Sequence, residues 1–241
     1  EPKNRRSRCS VLLQQWSGAA GAAEEATTVL IDTSPDLRLQ LAAAKPAHLD
    51  AVLISHDHAD QTNGFDDIRA YFIKARRTIP VWMDDATQTT FMRRFGYAFE
   101  SKGGYPAIAR HADRIAPLVP IPIDGPGGVM EILPLEQDHG FSASLGFRTA
   151  RFGYSNDLVS MPAASFDALG GLDLWIVDAL RETPHPTHAH LGRSLDWVER
   201  LKPKHAVLTN MHIDMDYAPL KARLPAGVEP GYDGWTADLS I

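Results

Sequence analysis

Short apolar runs that each lead into an ionisable side chain recur along the chain, and this pattern restricts the fold more than any other feature. Four runs, at 51–54, 129–135, 151–154 and 206–208, lead into His56, His139, Asp157 and His212. Runs of this length between turn signals are typical of buried strands. The carboxyl ends of such strands meet along one edge of the sheet in a layered α/β protein, where ligands usually bind. The pattern therefore predicts an α/β fold with these side chains at one sheet edge.

Between the apolar runs, hydrophobic residues recur with the spacing of an α-helix. We predict helices beginning near Ser34-Pro35, after the histidine cluster at 56–61, from about Asp84 to Gly96, and before Pro203. Residues 78–126 are dense in proline, glycine and aromatic residues and are expected to form an elaboration on the core. No repeat, low-complexity tract or linker marks a boundary, so the sequence predicts a single domain over 1–241.

Composition excludes several classes of protein. The 241 residues carry 24 Lys and Arg against 30 Asp and Glu, a net charge of −6, which argues against a face for extended nucleic acid. The longest apolar stretches are far shorter than the ~20 residues of a membrane-spanning helix. One cysteine, Cys9, rules out a disulfide framework and a thiolate-rich metal site. No signal segment opens the sequence, so a cytoplasmic location is expected.

The run His56-Asp57-His58-Ala59-Asp60-Gln61 is the sharpest local motif. It places two imidazoles and a carboxylate at alternate positions directly after a predicted strand. Imidazole and carboxylate together suit Zn, Mn or Fe. An isolated His-x-His is often only a pair of exposed polar residues in a turn. The trailing Asp60 and the predicted helix start at 62–64 favour a metal site over that alternative.

These residues resemble the His-x-His-x-Asp-His signature of the metallo-β-lactamase superfamily. The match continues in order with His139 in Asp-His-Gly, Asp157 in Tyr-Ser-Asn-Asp and His212 in Thr-Asn-Met-His. The sequence around these motifs is similar to that of the 5-phosphoribosyl 1,2-cyclic phosphate phosphodiesterase branch and, more distantly, to that of the tRNA 3′-processing endonuclease. The similar segments are 4–6, 31–36, 64–69, 185–188 and 232–234. The resemblance covers almost the whole chain and implies a four-layer αββα sandwich. The glycine-rich first strand that the superfamily normally has before a segment like 4–6 is not in this sequence.

The resemblance implies two divalent metal ions, Zn and/or Mn. The first would be held by three histidines with a bridging aspartate, and the second by two aspartates and a histidine; the sets are His56, His58, His139 and Asp157, and Asp60, Asp157 and His212. Water held between two such ions loses a proton near neutral pH and serves as the nucleophile, so Asp60 counts as a catalytic residue as well as a ligand. The two cations, two carboxylates and one hydroxide leave about +1, which suits a phosphodiester.

Gln61 departs from the superfamily pattern, which has a histidine ligand of the second metal at this position. Two interpretations stay open. An amide oxygen is a harder and weaker ligand, so the second site would bind less tightly and lean towards Mn over Zn. Alternatively, Gln61 hydrogen-bonds a metal-bound water.

Two further positions, Asp32 and His188, resemble supporting residues of the superfamily, and Arg69 is a candidate from its own chemistry. Asp32 would orient a histidine ligand, although it could instead cap the helix start at Ser34-Pro35. His188 would protonate the leaving-group oxygen, with His185 as the second choice and His190 as a surface residue. Arg69, placed at the end of the helix after the histidine cluster, would contact the substrate phosphate. Asp178 is expected to have a structural hydrogen-bonding role.

The sequence thus predicts a metal-dependent phosphodiesterase that cleaves a small cyclic or nucleotide-like phosphate ester. The alternatives are a tRNA-processing nuclease, a thioesterase or lactonase, and a protein that binds one metal and a nucleotide with little turnover. The expected partners are a small-molecule phosphate ester or nucleotide and a second copy of the chain in a homodimer. Extended nucleic acid and membrane are not expected partners.

Overall fold

A five-stranded mixed sheet is built from the first part of the chain in the computed structural model, which describes residues 1–239. Its strands are β1 (Val11–Gln15), β2 (Thr27–Ile31), β3 (Ala51–Leu53), β4 (Ile79–Trp82) and β5 (Ala109–His111), in that spatial order. The first pair is an antiparallel hairpin, with Val11 opposite Ile31, and the remaining neighbours are parallel. The carboxyl ends of β2 and β3 therefore lie at the same edge, where Asp32 and Ser55 follow.

A seven-stranded mixed sheet follows. Its strands are β6 (Ile121–Ile123), β7 (Met130–Asp138), β8 (Ala143–Thr149), β9 (Phe152–Ser155), β10 (Leu174–Asp178), β11 (His205–Thr209) and β12 (Val228–Pro230), in the spatial order β12-β11-β10-β9-β8-β7-β6. Strands β7, β8 and β9 pair antiparallel, and β9 to β12 pair parallel. The carboxyl ends of β9, β10 and β11 consequently share one edge.

Seven α-helices connect the strands. They are α1 (Leu37–Ala44), α2 (Ala59–Thr62), α3 (Arg69–Ala75), α4 (Asp85–Phe95), α5 (Ala163–Asp167), α6 (Leu191–Leu201) and α7 (Tyr217–Arg223), all within residues 1–239. The side chain of Asp84 caps α4 by accepting a hydrogen bond from the backbone N–H of Thr87. Lys202 ends α6 in the left-handed conformation, directly before Pro203, which cannot continue a helix. No helix in this part of the chain combines the length and the apolar character needed to span a membrane.

The chain divides into two compact units. The N-terminal unit comprises Arg8–Ala116 and Ile121–Glu131, and the C-terminal unit comprises Glu1–Ser7, Pro117–Pro120 and the chain from Ile132 onwards. Each unit has its own apolar core. The N-terminal core includes Phe65 and Phe91, whose ring centroids are 4.8 Å apart, and the C-terminal core includes the fully buried Trp175. A buried side chain of this size stabilises the fold by about 2–3 kcal/mol.

The predicted α/β class is confirmed, and details of the predicted elements are corrected. The strand predicted at 129–135 extends to Asp138, because β7 pairs with β8 as far as that residue. The helix after the histidine cluster is interrupted by a 3-10 turn, Phe65–Ile68, so Arg69 begins α3 instead of ending a helix. The first helix begins at Leu37, two residues after Pro35. Within 78–126, β4 and β5 are members of the first sheet.

Candidate metal centre

Two histidines of the N-terminal unit bring ring nitrogens together just after β3. Nε2 of His56 lies 2.9 Å from Nδ1 of His58. Two imidazole nitrogens bound to one tetrahedral zinc are about 3.3 Å apart, since each Zn–N bond is about 2.05 Å. His56 is buried and His58 is exposed. The pair is thus spaced close to what two ligands of one cation require.

A buried hydrogen-bond chain fixes the ring of His56. The hydroxyl of Ser55 donates to Oδ2 of Asp32 at 2.8 Å and lies 3.0 Å from Nδ1 of His56. Since this hydroxyl proton points to Asp32, the hydroxyl oxygen accepts from Nδ1–H of His56, and Nε2 keeps its lone pair for a cation. Asp32 therefore acts on His56 through Ser55, a residue that the sequence reasoning missed.

Asp32 has an unusual backbone conformation and a fully buried carboxyl group. Its backbone φ is 59°, in the left-handed region that aspartate tolerates better than most residues, and its side chain is fully buried. Burial raises the pKa of Asp32 from 3.8 to about 7, although hydrogen bonds from the backbone N–H and the hydroxyl of Ser55 oppose the shift. The predicted alternative, a cap of the following helix, does not describe these contacts.

Asp60 and Gln61 lie side by side on α2. Asp60 is half-buried, and the side chain of Gln61 is buried with its Nε2 donating to Oδ2 of Asp60 at 3.4 Å. The backbone carbonyl of Gln61 accepts from the N–H of Thr33 at 2.7 Å, which ties α2 to the end of β2. Gln61, which stands where the superfamily pattern has a histidine, is thus buried and in contact with the predicted ligand Asp60.

Arg94 of α4 holds the loop that carries the histidine pair. Its guanidinium forms an ion pair with Asp57 and donates to Thr62 Oγ1 at 2.9 Å and to Asn63 Oδ1 at 2.8 Å. These contacts join the start of the motif to the end of α2. Nothing in the local sequence signals the role of Arg94, because the contact spans more than thirty residues.

Three predicted site residues meet in the C-terminal unit. His139, Asp157 and His188 each offer a ligand atom within 4.8 Å of those of the other two. His139 follows β7, and its Nδ1 donates to the backbone carbonyl of Thr187 at 2.8 Å, so Nε2 is the nitrogen left for a cation. Gly140 permits this approach because a side chain there would collide with Thr187 at 2.6 Å and because its φ is 75°.

Backbone and amide contacts aim the carboxylate of Asp157. It follows β9 with a φ of 53° and is buried. Asn210 Nδ2 donates to Asp157 Oδ1 at 2.7 Å, and Asn156 Nδ2 donates to Oδ2 at 3.1 Å. The Ser144 hydroxyl donates to the backbone carbonyl of Asp157 at 2.7 Å. Asn210, which the sequence reasoning did not single out, itself has a φ of 57°, and an Asn or Asp directly after a strand is the sequence signal that marks such positions.

His188 is the histidine of segment 185–190 that lies in this cluster. Its Nδ1 is 3.0 Å from Asp178 Oδ2 and 3.3 Å from Asp157 Oδ1. The ring of His185 is 5.1 Å from that of His188, and burial lowers the pKa of His185. His190 precedes the first residue of α6. Burial also raises the pKa of Asp178, while its hydrogen bond with His188 acts in the opposite direction.

Two further predicted site residues, His212 and Arg69, each contact a carboxylate close to them in sequence. Half of the His212 side chain is exposed, and its Nδ1 contacts the carboxylate of Asp214. Arg69 makes a two-point ion pair with Asp66, with Nη2 to Oδ1 at 2.6 Å and Nε to Oδ2 at 3.1 Å. The predicted phosphate-binding guanidinium is therefore already engaged by a carboxylate of its own segment.

The donor sets of both units fit a divalent cation of the zinc or manganese type. Each offers imidazole nitrogens whose other ring nitrogen is oriented by a hydrogen bond, at His56 and at His139. The C-terminal unit adds a buried carboxylate at Asp157. Nitrogen and oxygen donors of this kind bind Zn and Mn, and a hydrogen bond that orients the imidazole ring is typical of a histidine ligand.

Comparison with known proteins defines the family. A model described as a beta-lactamase superfamily domain matches residues 27–213, so the chain belongs to that family. An octanoyltransferase of Porphyromonas gingivalis (strain ATCC BAA-308 / W83) is 29% identical over 216 residues, which are 87% of this chain and 42% of that protein. The chain thus spans less than half the length of this curated relative.

Solved structures agree with the family. A diphosphatase from the PhnP family is 28% identical with a TM-score of 0.78, and the match covers 94% of this chain and 95% of the other. Human tRNase Z, short form, is 15% identical with a TM-score of 0.68, covering 100% and 95%, and shows likeness of fold alone. These matches confirm the metallo-β-lactamase superfamily and fold predicted from the sequence.

Proposed function

We propose that this protein is a hydrolase, a divalent-metal-dependent phosphodiesterase acting on a small cyclic or nucleotide-like phosphate ester. The observation that carries the proposal is the cluster of His139, Asp157 and His188 in the C-terminal unit. It places an imidazole suited to proton transfer beside two residues of metal-ligand type. An ester with a poor leaving group needs such a proton donor, because its departing alkoxide is strongly basic.

The residues that would hold the metals are those of the family pattern. His56, His58, His139 and Asp157 would bind the first ion, and Asp60, Asp157 and His212 the second, with Gln61 as a weak ligand. When bound, divalent cations polarise the phosphoryl oxygen and make water a nucleophile near neutral pH. The cations would also outweigh the negative charge of Asp60 and Asp157, so an anionic ester would be attracted in spite of the net charge of −6.

The remaining residues orient and transfer protons. Asn210 holds the Asp157 carboxylate, Ser55 holds the His56 ring, and His188 would protonate the leaving oxygen. The likeness over nearly the full length to a diphosphatase supports phosphate chemistry at this site. The octanoyltransferase activity of the longer relative is not part of the proposal, since this chain corresponds to less than half of that protein.

The alternative of a metal- and nucleotide-binding protein is supported by the position of Gln61. Gln61 stands buried where the family has a histidine ligand, which would suit a protein that binds one metal and a nucleotide with little turnover. A tRNA-processing nuclease is disfavoured by the acidic balance, since phosphate contacts dominate such binding. The fold alone does not choose between a phosphodiesterase and a thioesterase or lactonase.

Hydrolysis of bis-p-nitrophenyl phosphate and of a ribose cyclic phosphate, measured with Zn or Mn, tests the proposal. We expect turnover that chelation abolishes and that Asp157→Asn reduces at least 100-fold, because asparagine keeps the left-handed backbone and removes the ligand charge. Asp173→Asn, which removes a carboxylate paired with Arg151, is the control and should retain activity. Tight binding of one metal per chain without hydrolysis of either ester would favour the binding protein instead.

A further inference from the structure

Gln137 of β7 and Ser144 of β8 form a buried polar pair beside Asp157. The two residues lie opposite each other in the hairpin whose turn carries His139. We propose that both are positioning residues that fix the backbone on each side of Asp157, so that its carboxylate points to the metal. This inference rests on the role of Asp157 as a metal ligand in the proposed function. The sequence alone suggested no role for either residue of the pair.

Both amide protons of Gln137 are used in hydrogen bonds. Its Nε2 donates to Ser144 Oγ at 3.0 Å and to the backbone carbonyl of Asn156 at 2.9 Å. The second contact determines which way the amide points, because a carbonyl oxygen only accepts. The Ser144 hydroxyl in turn donates to the backbone carbonyl of Asp157 at 2.7 Å. All four residues are buried, so these hydrogen bonds are made without competition from bulk water.

These hydrogen bonds hold the two peptide groups that flank the Cα atom of Asp157. The carbonyl of Asn156 belongs to the peptide group before that atom, and rotation of this group changes φ of Asp157. The carbonyl of Asp157 belongs to the peptide group after it, and rotation of that group changes ψ. The φ of Asp157 is 53°, in the left-handed region that costs free energy for a residue with a Cβ atom. Because the two peptide planes set the direction of the Cα–Cβ bond, holding both of them aims the carboxylate.

The side chain of Gln137 spans the middle strand of the three to make these contacts. Strand β8 lies between β7 and β9, and Asn156 directly follows β9. Gly146 of β8 leaves space for the amide, since a Cβ atom at this position would come nearest to Gln137 Oε1, at 2.5 Å. Gly146 does not have a positive φ, so the backbone conformation does not require glycine there. The sheet therefore accommodates a side chain of this length at position 137.

The buried amide has a cost that an apolar side chain would not have. Gln137 Oε1 is buried and has no hydrogen-bond partner among residues 1–239. An unsatisfied buried acceptor lowers stability, and a methionine of similar length would avoid that loss. The two hydrogen bonds that the amide donates beside Asp157 are a reason for a glutamine at this position.

Gln137→Met keeps the length of the side chain and removes both donors. We expect the affinity for zinc, measured by competition with a chromophoric chelator, to fall about 10- to 100-fold. Gln137→Asn keeps the amide but is too short to span β8, so it should lose affinity in the same range. Ser155→Ala is the matched control, because it removes the buried hydrogen bond that Trp175 Nε1 donates to Ser155 Oγ at 3.1 Å. This control should lower the free energy of unfolding by a similar amount and change the zinc affinity by less than about 3-fold.

An Asp157→Asn background tests whether Gln137 acts through that ligand. In this background Gln137→Met should still lower the free energy of unfolding, but should reduce the zinc affinity by less than about 3-fold further. The inference would be overturned by an unchanged zinc affinity in Gln137→Met, by an equal loss in Ser155→Ala, or by a full further loss in the Asp157→Asn background. A wild-type protein that binds neither zinc nor manganese would also overturn it. If the affinities change as expected and neither phosphate ester is hydrolysed, the proposed substrate class is rejected and the positioning role stands.

Discussion

The hydroxyl of Ser55 lies 3.0 Å from Nδ1 of His56 and donates a hydrogen bond to the buried carboxylate of Asp32. Asp32 therefore orients the ring of His56 through Ser55. Hydrogen-bonded partners of this kind set the tautomer of a metal-binding imidazole. In the C-terminal unit the backbone carbonyl of Thr187 does the same for His139. In both histidines, which are predicted ligands, Nδ1 contacts a hydroxyl or carbonyl oxygen, and this leaves Nε2 for a cation.

Ser55→Ala should weaken metal binding about 10- to 100-fold, the usual cost of losing such a partner, because Nδ1 of His56 loses its acceptor. Competition with a chromophoric chelator measures the change. Ser10→Ala is the matched control, since the Ser10 hydroxyl accepts a hydrogen bond from the Ser34 backbone in the same unit and does not contact a histidine. An affinity equal to that of the wild type would show that the chain through Ser55 does not orient the ring.

The pKa of Asp32 predicts a pH-dependent stability of the metal-free protein. The folded state holds the Asp32 proton up to about pH 7, whereas the unfolded state releases it near 3.8. The contribution of this group is therefore most favourable below pH 3.8 and is lost as the pH rises to about 7. Asp32→Asn should become progressively more stable relative to the wild type over that range. Urea unfolding in the presence of a chelator between pH 4.5 and 8 checks this, and a difference that is constant with pH would contradict it.

Much of the site could be predicted because strand ends are readable in the sequence. The apolar runs before His56, His139 and Asp157 form β3, β7 and β9. The prediction of a single sheet edge is wrong, because β3 belongs to the five-stranded sheet and β7 and β9 belong to the seven-stranded sheet. Local periodicity carries that information, since a buried strand is a short apolar run. The order in which His139, Asp157 and His212 follow the first motif makes the family resemblance more specific, because His-x-His alone also occurs in ordinary turns.

Residues that act across long sequence separations could not be predicted. Arg94 contacts Asp57 from α4, and Asn210, directly after β11, contacts Asp157, so no local pattern marks either contact. Arg69 was misplaced because a 3-10 turn and an α-helix share nearly the same apolar spacing over four residues. The expected single domain and the assignment of individual ligands to each metal stay predictions.

Arg94→Ala should loosen the histidine loop and lower metal affinity. The variant loses an ion pair with Asp57 and hydrogen bonds to Thr62 and Asn63, and we expect the free energy of unfolding to fall by about 1–2 kcal/mol. Calorimetric metal titration and urea unfolding give the two quantities. Arg93→Ala on the same helix, with an exposed side chain, should change neither. Equal metal affinities and equal free energies of unfolding for the two variants would show that Arg94 does not hold the histidine loop.

Gln61→His restores the superfamily pattern at the position where this chain departs from it. The side chain is buried beside Asp60, so an imidazole there would add a stronger nitrogen donor next to a predicted ligand of the second metal. If Gln61 is a weak ligand, the variant should retain two zinc ions per chain after dialysis under conditions in which the wild type retains one. Gln61→Asn, which keeps an amide but shortens its reach, should retain no more than the wild type. Unchanged zinc content in Gln61→His would instead support the interpretation that Gln61 hydrogen-bonds a water molecule, because replacing that group would then leave the set of metal ligands as it was.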